Sequence, residues 1–384
     1  MAGIFREIRD FFRYLMMPIE SKRVLFYSEH AGYTINFRPI IDQLIQKYDL
    51  KICYVTSDPS DPILKAKDKN VTVFYSRTLL TFLMGILADK TVCVMTVTEL
   101  NNTPILKRSV NDVHYVYVFH ALMSTHMIYK FGAFDHYDTI ITAGSYQDKE
   151  IQKAEELYQL KKKRIVSGGY TRLDDIAKEY QKYVAEHSEL KGNKRLQILV
   201  APSWSKTSFV ENYRDSAVKM IESLVETGFD ITLRYHPETV RRRQDIIDFF
   251  DMKFCNNEHI FIEKSVADNK SLLRSDLLIT DWSGISLEYS FGTERPVLFL
   301  ETTPKIHNER YKELEIEPFE VNVRNEIGQS VTLDKIDNIS RIVYDMVNLS
   351  ETYREKIIRF RTQNIFHFNN AAEKTADIIY DTLK

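Results

Sequence analysis

A chain of 384 residues exceeds the size at which a single hydrophobic core keeps growing, so two domains are expected. A formal net charge of −2, with 28% charged and 44% hydrophobic residues, is ordinary for a soluble globular protein and gives no support for nucleic-acid binding through bulk electrostatics. Three dispersed cysteines, Cys53, Cys93 and Cys255, offer neither a disulfide framework nor a metal-ligand spacing.

No apolar run is long enough to span a membrane and no cleavable signal is visible, which makes the cytosol the simplest compartment. The opening stretch GIFREIRDFFRYLMM nevertheless reads as a basic amphipathic helix within residues 1–19. Ile4, Phe5, Ile8, Phe11, Phe12, Leu15 and Met16 form one stripe, with Arg6, Arg9 and Arg13 elsewhere. Such a helix can lie in a lipid interface on the inner face of the membrane, or pack its stripe on its own domain. Pro18 ends it.

From Arg23 the pattern alternates strand and helix. RVLFYS (23–28), KICYVTS (51–57), VTVFYS (71–76), TVCVMTV (91–97), HYVYVFH (114–120) and TIITAG (139–144) read as strands. The helix at 35–48 is expected to be interrupted near Pro39. A second series follows: LQILVAPS (196–203), FDITLRYHP (229–237), HIFIE (259–263), DLLIT (276–280) and PVLFL (296–300). The polar, helix-prone stretch 173–195 between them suits a connector. This gives an α/β protein of two doubly wound, Rossmann-like domains, residues 20–172 and 196–384, facing across a cleft, with the last helix packing back on the first domain. In such sheets ligands sit at the carboxyl ends of the strands.

Two kinds of chemistry fall at those ends. In LLITDWSGISLEYSFGTERPVLFL (277–300), Asp281, Trp282, Ser283 and Gly284 interrupt two apolar runs before a helix, where free backbone N–H groups suit an anion. The plainer reading has Ser283 merely capping that helix. His120 and His236 each end a strand, one in each half, and histidine is well placed to move a proton near neutrality. Glu29, His30 and Tyr33 follow the first strand and can touch an acceptor, although a simple connecting loop is the more common case. The KKKR (161–164) and RRR (241–243) runs read as solvated faces that can also attract anionic lipid.

VAPSW (200–204), LRYHP (233–237), LLITDWSG (277–284) and GGYTRLD (168–174) resemble blocks of the CDP-glycerol glycerophosphotransferase family, the teichoic acid primase- and polymerase-like enzymes with a GT-B fold. The resemblance runs from about His120 to Leu300. It implies transfer of glycerol phosphate, or a related polyol phosphate, from a CDP-alcohol to a lipid-linked or glycan acceptor in teichoic acid or capsule-like polymer synthesis, releasing CMP. His120 takes the place of the base that deprotonates the acceptor hydroxyl. His236, with Arg234, takes that of the pyrophosphate-binding histidine. Thr280, Asp281, Trp282, Ser283 and Gly284 match the phosphate-binding block at the helix start, with Ser286 on the same helix. Glu288 corresponds to an acidic position for ribose or glycerol hydroxyls. Pro202, Ser203, Trp204 and Arg172 fall in the remaining substrate-binding blocks.

The chain departs from the family pattern at Phe119, Ala121, Gly284, Ser203, Ser205, Thr171 and Leu173, which touches the alcohol and acceptor more than the nucleotide phosphates. No metal motif is visible, so no cofactor is expected beyond magnesium carried by the substrate. A nucleotide-sugar glycosyltransferase of surface polysaccharide synthesis is the alternative on the same fold. A non-catalytic scaffold held to the membrane by the first helix is a third reading.

Overall fold

The computed structural model describes residues 2–77, 79–98, 100–187, 195–204, 207–265 and 268–384. Thus Ser205, and residues 188–194 of the expected connector, lie outside the described residues. Seven strands form the first sheet: β1 Val24–Ser28, β2 Ile52–Thr56, β3 Val71–Tyr75, β4 Thr91–Met95, β5 Val113–Val118, β6 Thr139–Thr142 and β7 Arg164–Ser167. Six form the second: β8 Gln197–Val200, β9 Asp230–Arg234, β10 Ile260–Glu263, β11 Leu277–Thr280, β12 Val297–Glu301 and β13 Gly328–Thr332. The orders are β3-β2-β1-β4-β5-β6-β7 and β10-β9-β8-β11-β12-β13.

All pairings between these strands are parallel. Parallel strands need helical crossovers, which cover both faces. Hence β1, β2, β4 and β6 are buried at every residue instead of alternating. In each sheet the winding reverses once, between β1 and β4 and between β8 and β11, and there the loops at the carboxyl ends part to leave a crevice.

The chain divides into two compact units. One comprises Met1–Arg172, Asn308–Ile316 and Ile365–Lys384; the other comprises Leu173–His307 and Glu317–Asn364. In the first, the helix Ala371–Thr382 contributes Ala376, Ile378 and Ile379 to the core built around Val24, Phe26, Phe37 and Ile41. Gly168 and Gly169 permit its approach. A Cβ at Gly169 would lie 2.6 Å from the Phe366 carbonyl oxygen, and its φ of +91° is left-handed.

Three stretches differ from their sequence reading. The helix Thr34–Tyr48 runs through Pro39 without interruption; proline removes one N–H donor in the second turn, and five buried side chains hold the helix to the sheet. The stretch expected as a connector begins as the helix Thr171–Glu186, whose Leu173, Ile176 and Ala177 are buried. It packs closely on a second helix, since a Cβ at Gly292 would meet Ile176 Cγ2 at 2.5 Å.

The helix Ala2–Met16 packs with its polar side inward. Asp10, 1% exposed, accepts the N–H of Tyr75 at 3.0 Å, and Glu7 accepts that of Arg77 at 2.7 Å. These donors belong to or follow β3, an edge strand with one side unpaired, so the carboxylates cover an edge that would otherwise be open. Tyr14 is buried beside them, whereas Ile4, Phe5, Ile8, Phe12, Leu15 and Met16 are exposed, Phe5 at 68% and Met16 at 77%.

Candidate functional site

In the second unit, the loops after β8 and β11 flank the reversal point, and Asp281 ties them together. Its Oδ1 accepts the N–H groups of Ser203 and Trp282, both at 2.7 Å, and its Oδ2 accepts that of Phe209 at 2.9 Å. Thr280 donates its hydroxyl to the Ala201 carbonyl at 2.6 Å. Both side chains are 1% exposed. Expected as phosphate ligands, they instead hold the loop in shape, because the carboxylate turns back toward the sheet and is filled by backbone donors.

What the loop presents is the start of the helix Ile285–Thr293. Its N-cap is Gly284, and no side chain caps it, so Ser283 does not fill the capping role. The Ser286 hydroxyl donates to the Ser283 carbonyl at 2.9 Å, tightening the first turn. The N–H groups of Ser286 and Leu287 donate to the Ser283 and Gly284 carbonyls, both at 3.2 Å, so what the helix start offers an anion is the positive end of its dipole. Glu288 lies half-buried in the first turn.

Trp282 packs between committed partners: its Nε1–H donates to Thr302 O at 3.0 Å and the Arg324 guanidinium carbon lies 3.7 Å from its ring centre. Arg324 is buried, donates to the Asp281 carbonyl at 3.0 Å, and has its pKa lowered to about 10 by burial.

His236 ends the turn after β9 and caps the helix Pro237–Arg242, its Nδ1 accepting the Glu238 N–H at 3.1 Å. An imidazole that accepts at Nδ1 carries its proton on Nε2, so it offers a donor. Burial first, and then the positive charge of Lys305, lower its pKa to about 3, which keeps the ring neutral at pH 7. The Trp204 ring lies 5.8 Å from this imidazole, with the Lys305 ammonium 4.8 Å and the Arg242 guanidinium 5.3 Å from the Trp204 ring centre. Pro202 and Ser203, which precede Trp204, are buried. Arg234, expected beside His236 at the phosphates, is buried and donates to Ser271 Oγ at 2.7 Å, with Glu263 at 3.8 Å. Arg234 is the last residue of β9 and is taken up by these neighbours, whereas His236 has left the strand to cap the next helix.

In the first unit, His120 stands two residues beyond β5, the strand beside β4. Its Nδ1 is 2.6 Å from Thr96 Oγ1, and its ring lies 4.9 Å from Tyr33 and 6.0 Å from Tyr129. The Tyr170 hydroxyl donates to the His120 carbonyl at 2.9 Å. Burial lowers the pKa of His120 to about 4. A neutral imidazole whose Nδ1–H donates to Thr96 leaves Nε2 free to accept a proton. His30 accepts the Gly32 N–H and lies 6.3 Å from Tyr33. Arg172 belongs to this unit and the other substrate-binding candidates to the second.

Sequence reasoning missed Lys305, Arg324 and Thr96. One signal was available for Lys305 and Thr96: each follows the carboxyl end of a strand, as Trp282 does. Arg324 carries no such signal, because it reaches the loop from a short helix, Arg324–Ile327.

Two doubly wound parallel sheets, with donors and cations at strand ends, define an α/β fold of the GT-B type. Solved structures share the fold. A structure of the wall teichoic acid polymerase TagF aligns with a TM-score of 0.62 at 16% identity, covering 99% of this chain and 94% of that one. A putative UDP-N-acetylglucosamine 2-epimerase from Listeria monocytogenes aligns with a TM-score of 0.60 at 15% identity, covering 94% and 97%. The UDP-GlcNAc 2-epimerase from Methanocaldococcus jannaschii gives 0.56 at 16%, covering 93% and 99%. No curated protein sequence matches the chain. The chain belongs to the CDP-glycerol:poly(glycerophosphate) glycerophosphotransferase family, whose model matches residues 10–381, and is thereby a CDP-glycerol glycerophosphotransferase.

Proposed function

We propose that this enzyme transfers glycerol phosphate, or a related polyol phosphate, from its CDP-alcohol to a hydroxyl of a membrane-associated glycan or lipid-linked acceptor, in teichoic acid or capsule-like polymer synthesis. The acceptor oxygen forms a bond to the phosphorus that carries the alcohol, the bond from that phosphorus to the bridging oxygen breaks, and CMP leaves. The acceptor's proton passes to His120 Nε2. Charge on the phosphates is met by the His236 Nε2–H and the positive end of the helix Ile285–Thr293, with any magnesium entering as part of the substrate. The observation that carries this reading is a neutral, donating His236 beyond the carboxyl end of β9, beside the Trp204 ring that the Lys305 ammonium also contacts. TagF, a wall teichoic acid polymerase of the same fold, has a structure soaked with CDPG, which agrees with such a donor.

The inverted packing of Ala2–Met16 supports membrane contact as part of this reading. Its exposed apolar stripe is flanked by Arg6, Arg9 and Arg13, all partly exposed, and an apolar face rimmed by arginines matches an anionic bilayer surface. Among the described residues no helix is long and apolar enough to cross a membrane.

The test is release of CMP from CDP-glycerol or CDP-ribitol in the presence of acceptor, run beside UDP or GDP release from sugar nucleotides. His120→Ala is expected to abolish transfer while CDP-glycerol binding survives. Release of UDP or GDP alone overturns the reading in favour of a glycosyltransferase.

A further inference from the structure

The loop leaving β12 carries a cation that the fold leaves uncommitted. Lys305 is half-buried against the Trp204 ring, yet among the described residues it is in no ion pair. The carboxylates that act on it from a distance, Asp281 and Glu238, are engaged elsewhere. Asp281 is filled by three backbone N–H groups, and Glu238 is bridged by Arg241 at 2.9 Å and Arg242 at 2.7 Å. Burial accordingly lowers the pKa of Lys305.

Other shielded cations of the chain are committed. Arg361 donates to Glu294 at 2.9 Å, Lys163 to Glu155 at 3.2 Å, and Arg324 stacks on Trp282 while donating to a carbonyl. A desolvated ammonium without a counter-ion is costly, and a protein keeps one where a ligand supplies the missing charge.

The loop is also held shortly before Lys305, where the Thr302 carbonyl accepts Trp282 Nε1–H at 3.0 Å.

We infer that the Lys305 ammonium is a substrate ligand that binds the diphosphate of the CDP-alcohol and completes the set begun by His236 and the start of the helix Ile285–Thr293. This rests on the CDP-alcohol reading above. Trp204 is then a positioning residue, whose ring packs beside both Lys305 and His236 and sets their separation.

The experiment compares wild type, Lys305→Met and Lys305→Arg by calorimetric titration with CDP-glycerol and with cytidine, which has the base and ribose but no phosphate. Lys305→Met is expected to weaken CDP-glycerol roughly ten- to a hundredfold, the range for loss of one charge-assisted hydrogen bond, while cytidine stays within about twofold. Lys305→Arg is expected to recover most of the loss. Wild-type binding of CDP-glycerol with Lys305→Met unchanged overturns the assignment of Lys305 alone, as does an equal loss for cytidine. Failure of the wild type to bind CDP-glycerol overturns the CDP-alcohol reading together with it.

Discussion

Replacing Asp281 separates a residue that shapes the loop from one that binds the ligand. In Asp281→Asn the amide oxygen can stay at Oδ1, where it still accepts from Ser203 and Trp282. The amide nitrogen then replaces Oδ2 and points its hydrogens at the Phe209 N–H, 2.9 Å away in the native protein, so a donor faces a donor. One buried N–H loses its acceptor, which costs about 1–3 kcal/mol, and the two surviving bonds lose their charge assistance. A total of about 2–3 kcal/mol lowers the melting midpoint by roughly 4–12 °C for a domain of this size. Asp281→Ala, which orphans all three donors, is expected to cost more.

Tryptophan fluorescence is a suitable readout, because the chain has two tryptophans, Trp204 and Trp282, and both belong to the unit concerned. Thermal unfolding would be followed in parallel with CDP-glycerol binding. An Asp281→Asn variant that melts within about 1 °C of wild type but no longer binds would refute the reasoning, and would return Asp281 to the list of groups that contact substrate.

The remaining expectations concern pH, the membrane and the backbone. With His120 at about pKa 4, the acid limb of kcat/KM should lie below pH 5; a limb near the ordinary histidine value of about 6.5 would show that burial does not depress the base. Both histidines titrate lower in the folded chain than unfolded, so stability is full above about pH 6.5 and declines as pH falls toward their folded values of about 4 and about 3. Urea midpoints at pH 7 and pH 5 should differ less in a His120→Gln/His236→Gln variant than in wild type. Phe5→Glu with Phe12→Glu should leave the melting midpoint unchanged, since both side chains are exposed, and reduce co-sedimentation with vesicles containing phosphatidylglycerol severalfold; equal sedimentation would exclude this helix as the anchor. Gly169→Ala, forcing a Cβ onto the Phe366 carbonyl at positive φ, should destabilise the first unit by about 1–3 kcal/mol or more, measured by urea denaturation.

The architecture was legible because buried parallel strands announce themselves as apolar runs, and eleven of the strands coincide with such runs. The two that escaped, β7 and β13, are edge strands. β7 opens on a charged residue and is nowhere fully buried, and GQSVT of β13 is too polar to read as a core strand. At the site, position in the sheet was readable but orientation was not. Asp281 and Trp282 were correctly placed at a strand end, yet no pattern in one sequence tells whether a carboxylate looks outward or folds back on neighbouring N–H groups. The same holds for Arg234, whose turn toward Ser271 no pattern announces, and Lys305 sits in a loop without a motif around it.

The helix Ala371–Thr382 completes a core whose other members were translated long before it. Residues through Arg172 leave the ribosome first, the whole second unit follows, and only then, roughly 200 residues later, do Ala376, Ile378 and Ile379 arrive to cover Phe26 and Phe37. At about 5–20 residues per second that is a wait on the order of ten to forty seconds with an open apolar face. A chain released before this helix therefore lacks the side chains that cover this part of its earliest core.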